Sequence, residues 1–184
     1  VAPEEEGGRY TVLGDPTEAC LLVSAQKAGL TLEDLEREMP RVRELPFESR
    51  RKRMTTIHQL KRPFEGASRI AFVKGAPNEV VRLSEHVRCR GEVAPMSDEM
   101  RERIMAANDS YAANGLRVLA LAYRPLRADD DSIPRSMSDY TPDNIECGLT
   151  FVGLLVMQDP PRPEVAAAVA ECRRAGIRVV MITG

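Results

Sequence analysis

Apolar positions along this chain switch repeatedly between helical and strand-like spacing, and the switches outline its elements. In GDPTEACLLVSAQKAGL (residues 14–30) they fall at helical intervals. Asp15 is placed to N-cap this helix, Pro16 suits its first position, Glu18 completes a capping box and Gly29 ends it. A shorter helix is expected from Thr31 to just before Pro40. Strand patterns follow at RVRELPF (41–47), RMTTIHQLK (53–61) and SRIAFVKG (68–75), the last two forming an antiparallel pair across the turn-rich RPFEGA. Pro77 opens a helix through NEVVRLSEH, and Ser97 caps a longer one with Met100, Ile104, Ala107 and Tyr111 on one face, ended by Asn114 and Gly115. LRVLALAYR (116–124) reads as a largely buried strand.

From 124 to 146 the chain is rich in Pro, Ser and Asp, which predicts an exposed loop or linker. Beyond it the pattern changes to LTFVGLLVM, an alanine-rich helical stretch closed by Gly176, and a second apolar run, IRVVMITG. That order predicts a strand, helix, parallel strand unit of the doubly wound kind. Two parallel strands cannot cover both their faces, so the chain is expected to be a piece of something larger. The unit is expected to pack back on the rest, dimerise or be poorly ordered.

Composition narrows the classes further. The 184 residues are 43% hydrophobic and 29% charged, with 26 basic and 28 acidic side chains and a formal net charge of -2. This balance gives no global field to attract nucleic acid or acidic lipid. The longest uncharged run, residues 147–158, is far shorter than the ~20 residues of a membrane span, and VAPEEEGGRY lacks the basic flank and apolar core of a secretory signal. Four separated cysteines, without a C-x-x-C pair or clustered histidines, read as free thiols of a reducing compartment rather than zinc ligands. Neither G-x-x-x-x-G-K-[ST] nor G-x-G-x-x-G occurs, so a nucleotide site would not be a P-loop.

Six stretches in order carry a resemblance: GDPTEA (14–19), LPFESRRKRMTT (45–56), FVKGAPNEV (72–80), GLRVLALAYR (115–124), DPPRPEV (159–165) and GIRVVMITG (176–184). Together they resemble the cytoplasmic catalytic region of a type II cation-transporting P-type ATPase, and RKRMTTIH followed by KGAPNEV looks most like bacterial calcium-transporting members. The resemblance implies an α+β nucleotide-binding domain over residues 1–147, with a mainly antiparallel sheet and flanking helices. Residues 148–184 would be a β-α-β fragment of a phosphorylation domain of haloacid-dehalogenase-like α/β fold. It also implies ATP as ligand, and the phosphorylation, actuator and transmembrane domains of the same polypeptide as partners, at the cytoplasmic face of a membrane.

Individual residues are assigned through the same resemblance. Phe47, in isolation a core aromatic, matches the ring that stacks on adenine. Met54 either lines the pocket or fills space beneath it. Glu18 matches the carboxylate near the adenine amine, in competition with its capping role. Lys52 and Lys74 supply compact cations for ribose or phosphate, Gly75 lets a ligand approach the backbone, and Arg117 offers forked donors to phosphate. Asp159 and Arg162 match a hinge-proximal motif contacting nucleotide or the domain interface, and Thr183 and Gly184 begin a T-G-D motif. Asn78 departs from the family, where that position is often acidic.

The D-K-T-G-T and G-D-G-x-x-N-D sequences of the family are absent from the chain, so it is expected to hold ATP without turning it over. No catalytic or metal-ligating residue is assigned, and Mg2+ is expected to be held elsewhere in the full-length protein. Two alternatives come from other classes. A free-standing haloacid-dehalogenase-like phosphatase would need a D-x-D at a strand end, and 129–131 lies in the linker. A protein- or nucleic-acid-binding module would rest on RRKR (50–53), which reads better as a solvated connection with one inward-pointing lysine.

Overall fold

The computed structural model describes residues 2–3, 10–11, 16–158 and 162–182, with residues 2, 3, 10, 11 and 16 described by their backbone alone. Two residues each of β1 (Ala2–Pro3) and β2 (Tyr10–Thr11) form a small antiparallel ladder. Helices α1 (Pro16–Lys27) and α2 (Leu32–Glu38) follow. The first ends in a Schellman turn: Gly29 has φ +78°, its N–H donates to Gln26 O at 2.9 Å, and that of Leu30 to Ala25 O at 3.0 Å. Thr31 N-caps α2, accepting from Asp34 N, as its position requires. Asp15, expected to cap α1, lies outside the described residues.

The body of the fold is a seven-stranded sheet built from β3 (Arg41–Glu48), β4 (Arg53–Phe64), β5 (Ala67–Gly75), β6 (Ser84–Cys89), β7 (Glu92–Pro95), β8 (Arg117–Leu126) and β9 (Leu149–Met157). Their order across the sheet is β3-β4-β5-β8-β9-β6-β7, and every pairing is antiparallel except β6 with β9. The expected α+β architecture with a mainly antiparallel sheet is therefore present, and the 53–61/68–75 hairpin forms with Ile57 opposite Ala71.

One sheet face carries the core, in two patches. Helices α3 (Pro77–Leu83) and α4 (Asp98–Ala113) cover the first: Val80 and Val81 join Val73, Val87, Ala120, Ala122, Leu149 and Phe151, and Met100 and Ile104 of α4 pack against them. Tyr111, expected on the same helix face, is exposed. Leu45, Ile57, Ala71 and Leu126 meet Tyr140 and Ile145 in the second patch.

Three expectations are corrected, and one strand, β7, was not foreseen. The helix opened by Pro77 stops at Leu83 instead of reaching His86, because Ser84 Oγ donates back to Val80 O at 2.8 Å and residues 84–89 become β6. Strand β7 had no period-two signal, since all four of its residues are exposed on a sheet edge. Residues 124–146 are not a solvated linker: Arg124 to Leu126 finish β8, and Tyr140 and Ile145, the latter in the short helix α5 (Pro142–Ile145), are buried.

The third correction concerns the C-terminal unit. Leu149–Met157 is not the opening strand of a separate β-α-β fragment but an inner strand with β8 on one side and β6 on the other. β8 pairs with it from Thr150 to Met157, whereas β6 pairs with it only over Leu149–Phe151. Helix α6 (Val165–Arg174) forms, but residues 177–182 are not a strand, and no described residue from 162 to 182 is buried. The segment does not pack back as an apolar layer.

Candidate functional site

At one end of the sheet, on the face opposite the core, Thr17, Glu18, Phe47, Lys52, Met54, Lys74, Gly75, Ala76, Pro77, Arg117, Val118 and Leu119 surround a cavity of about 510 Å³. The strand register explains how distant residues converge. Met54 lies directly opposite Lys74, so both side chains leave the same face, and Lys74 in turn lies opposite Leu121. α1 brings Glu18 over this row, and the Lys74 ammonium donates to the Glu18 carboxylate. Arg117 Nη1 donates to Thr17 Oγ1 at 3.1 Å, a second polar tie between α1 and the sheet. Phe47 stands at the rim with 63% of its surface exposed.

The turn between β3 and β4 is the most constrained part of the wall. Lys52 adopts φ +52°, a left-handed conformation unusual for a side-chain-bearing residue. Its N–H donates to Glu48 O at 2.7 Å and its carbonyl accepts from Ala76 N at 2.9 Å. Gly75 fits against this turn only because it lacks a Cβ, which would meet Arg53 Cβ at 2.5 Å, Lys52 O at 2.6 Å and Arg53 Cα at 2.8 Å. The close approach at Gly75 is thus made by the protein's own backbone.

RRKR is not a solvated connection, although Arg50 is exposed. Arg51 and Arg53 turn to the core side and meet Glu146, whose side chain is fully buried. Arg51 Nη1 donates to both carboxylate oxygens at 2.6 and 2.7 Å, Arg53 Nε donates at 2.7 Å and Thr55 Oγ1 at 2.8 Å. Burial alone would lower the Arg51 pKa, but the hydrogen bond and charge of Glu146, with Glu48, hold it above its ordinary value. Nearby, hydrogen bonding to Arg82 keeps the Glu79 carboxyl below its usual range, assisted by Arg53 and Lys52.

Three cations and one carboxylate around a largely exposed aromatic residue suit an anionic ligand with a flat apolar part. A second cavity of about 480 Å³, lined by Glu65, Glu85, Arg124 and Asp130 among others, has a different character. There Arg124 is spent on Asp130 at 2.9 Å and Arg127 Nε on Glu65 O at 2.8 Å.

Seven of the residues singled out in the sequence thus share one cavity: Glu18, Phe47, Lys52, Met54, Lys74, Gly75 and Arg117. Arg162 does not line it and is exposed before α6, while Asp159, Thr183 and Gly184 lie outside the described residues. Sequence reasoning missed Thr17, next to Glu18 in α1, Leu119, which shares strand spacing with Arg117 in β8, and the supporting Glu146. Among the described residues no group of three or more His, Cys, Asp or Glu could hold a metal ion, and no helix is long and apolar enough to cross a membrane.

Fold and cavity together define an α+β ligand-binding domain with a mainly antiparallel sheet. Residues 1–164 match the family described as P-type ATPase, cytoplasmic domain N. The chain belongs to the P-type ATPase family. It is 39% identical over 173 residues to Calcium-transporting ATPase 1 of Lactococcus lactis, covering 94% of this chain and 18% of that protein. Identity is 39% over 181 residues to the Calcium-transporting ATPase of Bacillus subtilis, covering 98% and 19%. For the Cation-transporting ATPase pma1 of Synechocystis it is 38% over 183 residues, covering 98% and 18%. The chain therefore spans about a fifth of the length of these relatives.

Proposed function

We propose that this chain is the ATP-binding part of an ATP-driven cation transporter, with calcium as the transported ion. The convergence of Phe47, Glu18, Lys52, Lys74 and Arg117 on one cavity supports the ATP reading, and the names of the calcium-transporting relatives support calcium. Adenine stacks on the open face of Phe47, worth ~1–3 kcal/mol for such contacts. Glu18 accepts from the exocyclic amine, a bond guanine cannot offer at the same position. Lys74, Lys52 and Arg117 meet the ribose and phosphates, where compact ammonium groups and a guanidinium fork replace the hydration of a polyanion. Binding to Lys74 exchanges the Glu18 carboxylate for phosphate, so the ion pair already present keeps that lysine in place.

The donors fit a triphosphate. Mg2+, when bound, would neutralise charge on the phosphates, and this chain's own cations orient the triphosphate. The γ-phosphate would then be presented to an aspartate on a phosphorylation domain, beside actuator and transmembrane domains, at the cytoplasmic face of a membrane.

Calorimetric titration of the chain with ATP tests this reading. Phe47→Ala is expected to weaken binding roughly five- to a hundredfold, corresponding to ~1–3 kcal/mol. Equal affinities would remove Phe47 from the site, and absence of ATP binding to the unsubstituted chain would overturn the proposal.

A further inference from the structure

The pocket's most constrained cation is set by a residue that does not line it. Arg51 and Arg53 flank Lys52, and both send their guanidinium groups to the same buried carboxylate, Glu146. With its two neighbours drawn to the core side, Lys52 is left to the opposite side, in the left-handed backbone conformation that this turn imposes. Lys74 is engaged by Glu18 and Arg117 by Thr17, whereas the Lys52 ammonium makes no hydrogen bond or salt bridge among the described residues. An unpaired ammonium on a four-carbon stem contributes to anion binding only insofar as its backbone is held.

We propose that Glu146 is a positioning residue of the nucleotide pocket, acting through the Arg51–Lys52–Arg53 turn to aim Lys52 at the phosphates. The inference rests on the ATP reading above. Glu146 follows α5, some 95 residues from Arg51 in sequence, and its four charge-assisted or hydroxyl hydrogen bonds leave neither oxygen spare. An amide in its place accepts through one oxygen only and turns an N–H2 donor toward two guanidinium groups, which also lose their counter-charge. The turn then loses its anchor while β3 and β4 remain paired, with Leu45 opposite Thr55. Phe47 keeps its strand, and the phosphate half of the pocket bears the loss.

The test compares ATP with adenosine, which lacks the phosphates, on the 184-residue chain carrying Glu146→Gln, Lys52→Met, or both. Glu146→Gln is expected to weaken ATP about three- to tenfold, to leave adenosine within about twofold, and to have no further effect on ATP once Lys52 is methionine. Parallel losses for ATP and adenosine, an undiminished loss in the Lys52→Met background, or no loss at all would each overturn the role. Should Glu146→Gln fail to give a folded chain by near-ultraviolet circular dichroism, Arg51→Lys carries the same comparison, keeping the cation but not the fork. Failure of the ATP reading itself is seen separately, in the unsubstituted chain and in Phe47→Ala.

Discussion

Gly75 shows how tightly single atoms govern this site. A methyl group there would collide with backbone atoms of Lys52 and Arg53, which cannot rotate away as a side chain can. Gly75→Ala should therefore separate the end of β5 from the β3–β4 turn, cost about 1–3 kcal/mol of stability and weaken ATP together with it. Urea unfolding and ATP titration of the same variant check both, and unchanged stability would show that the turn yields more easily than its contacts imply. At this scale the sequence was informative where a short motif carried the chemistry, as for Lys74 and Gly75 in FVKGAPNEV. It was silent on Glu146, because nothing local marks a carboxylate whose partners lie 91 to 95 residues away. The reason offered for Gly75, access for a ligand, also differs from the contact seen, which is between two stretches of chain.

Among the elements, those with chemical end signals were legible: Thr31 and Ser97 cap their helices, and Asn114 with Gly115 ends α4. Composition misled over residues 124–146, where Pro, Ser and Asp conceal the end of β8 and two apolar anchors, Tyr140 and Ile145. Polar groups complete the attachment of that segment. Arg124, itself buried, donates to Asp130 and to Asn144 O, both at 2.9 Å. Hydrogen bonds from the Ser132 hydroxyl, then from Arg124, hold the Asp130 carboxyl below its ordinary value. A depressed carboxyl pKa contributes stability that is present above the unfolded value, near pH 4, and is lost as pH falls through the folded value. Asp130→Asn is accordingly expected to be less stable than the parent at pH 7, with the difference shrinking toward pH 3. Urea unfolding across that range checks the sign, and a difference constant from pH 7 to pH 3 would sink it.

For the molecule as a whole, the sheet's neighbours were less readable than its strands. LTFVGLLVM was read correctly as a strand, but its apolar run suits any strand buried on both sides, and periodicity says nothing about which partners occupy its edges. Its place between β8 and β6 means that the β6–β7 hairpin joins the remaining strands only through β9. α6 and the residues after it contribute no buried side chain, so the sheet does not depend on them. A chain ending at residue 164 should retain the unfolding midpoint and ATP affinity of the longer one. It should also associate less, because Met181 and Ile182 are among the most exposed apolar residues described. Sedimentation velocity and denaturation of the two lengths provide the comparison, and a large loss of stability on shortening would contradict it.

The position of β9 has a consequence for biosynthesis. The strand made last among the seven is an interior one, so a nascent chain that has not yet released residues 149–157 holds two separate half-sheets with unsatisfied edges. Glu146, just ahead of it, emerges at nearly the same moment. The ribosome must therefore deliver almost the whole described sheet before Glu146 can meet the turn bearing Lys52, and until then that wall of the cavity is unfinished.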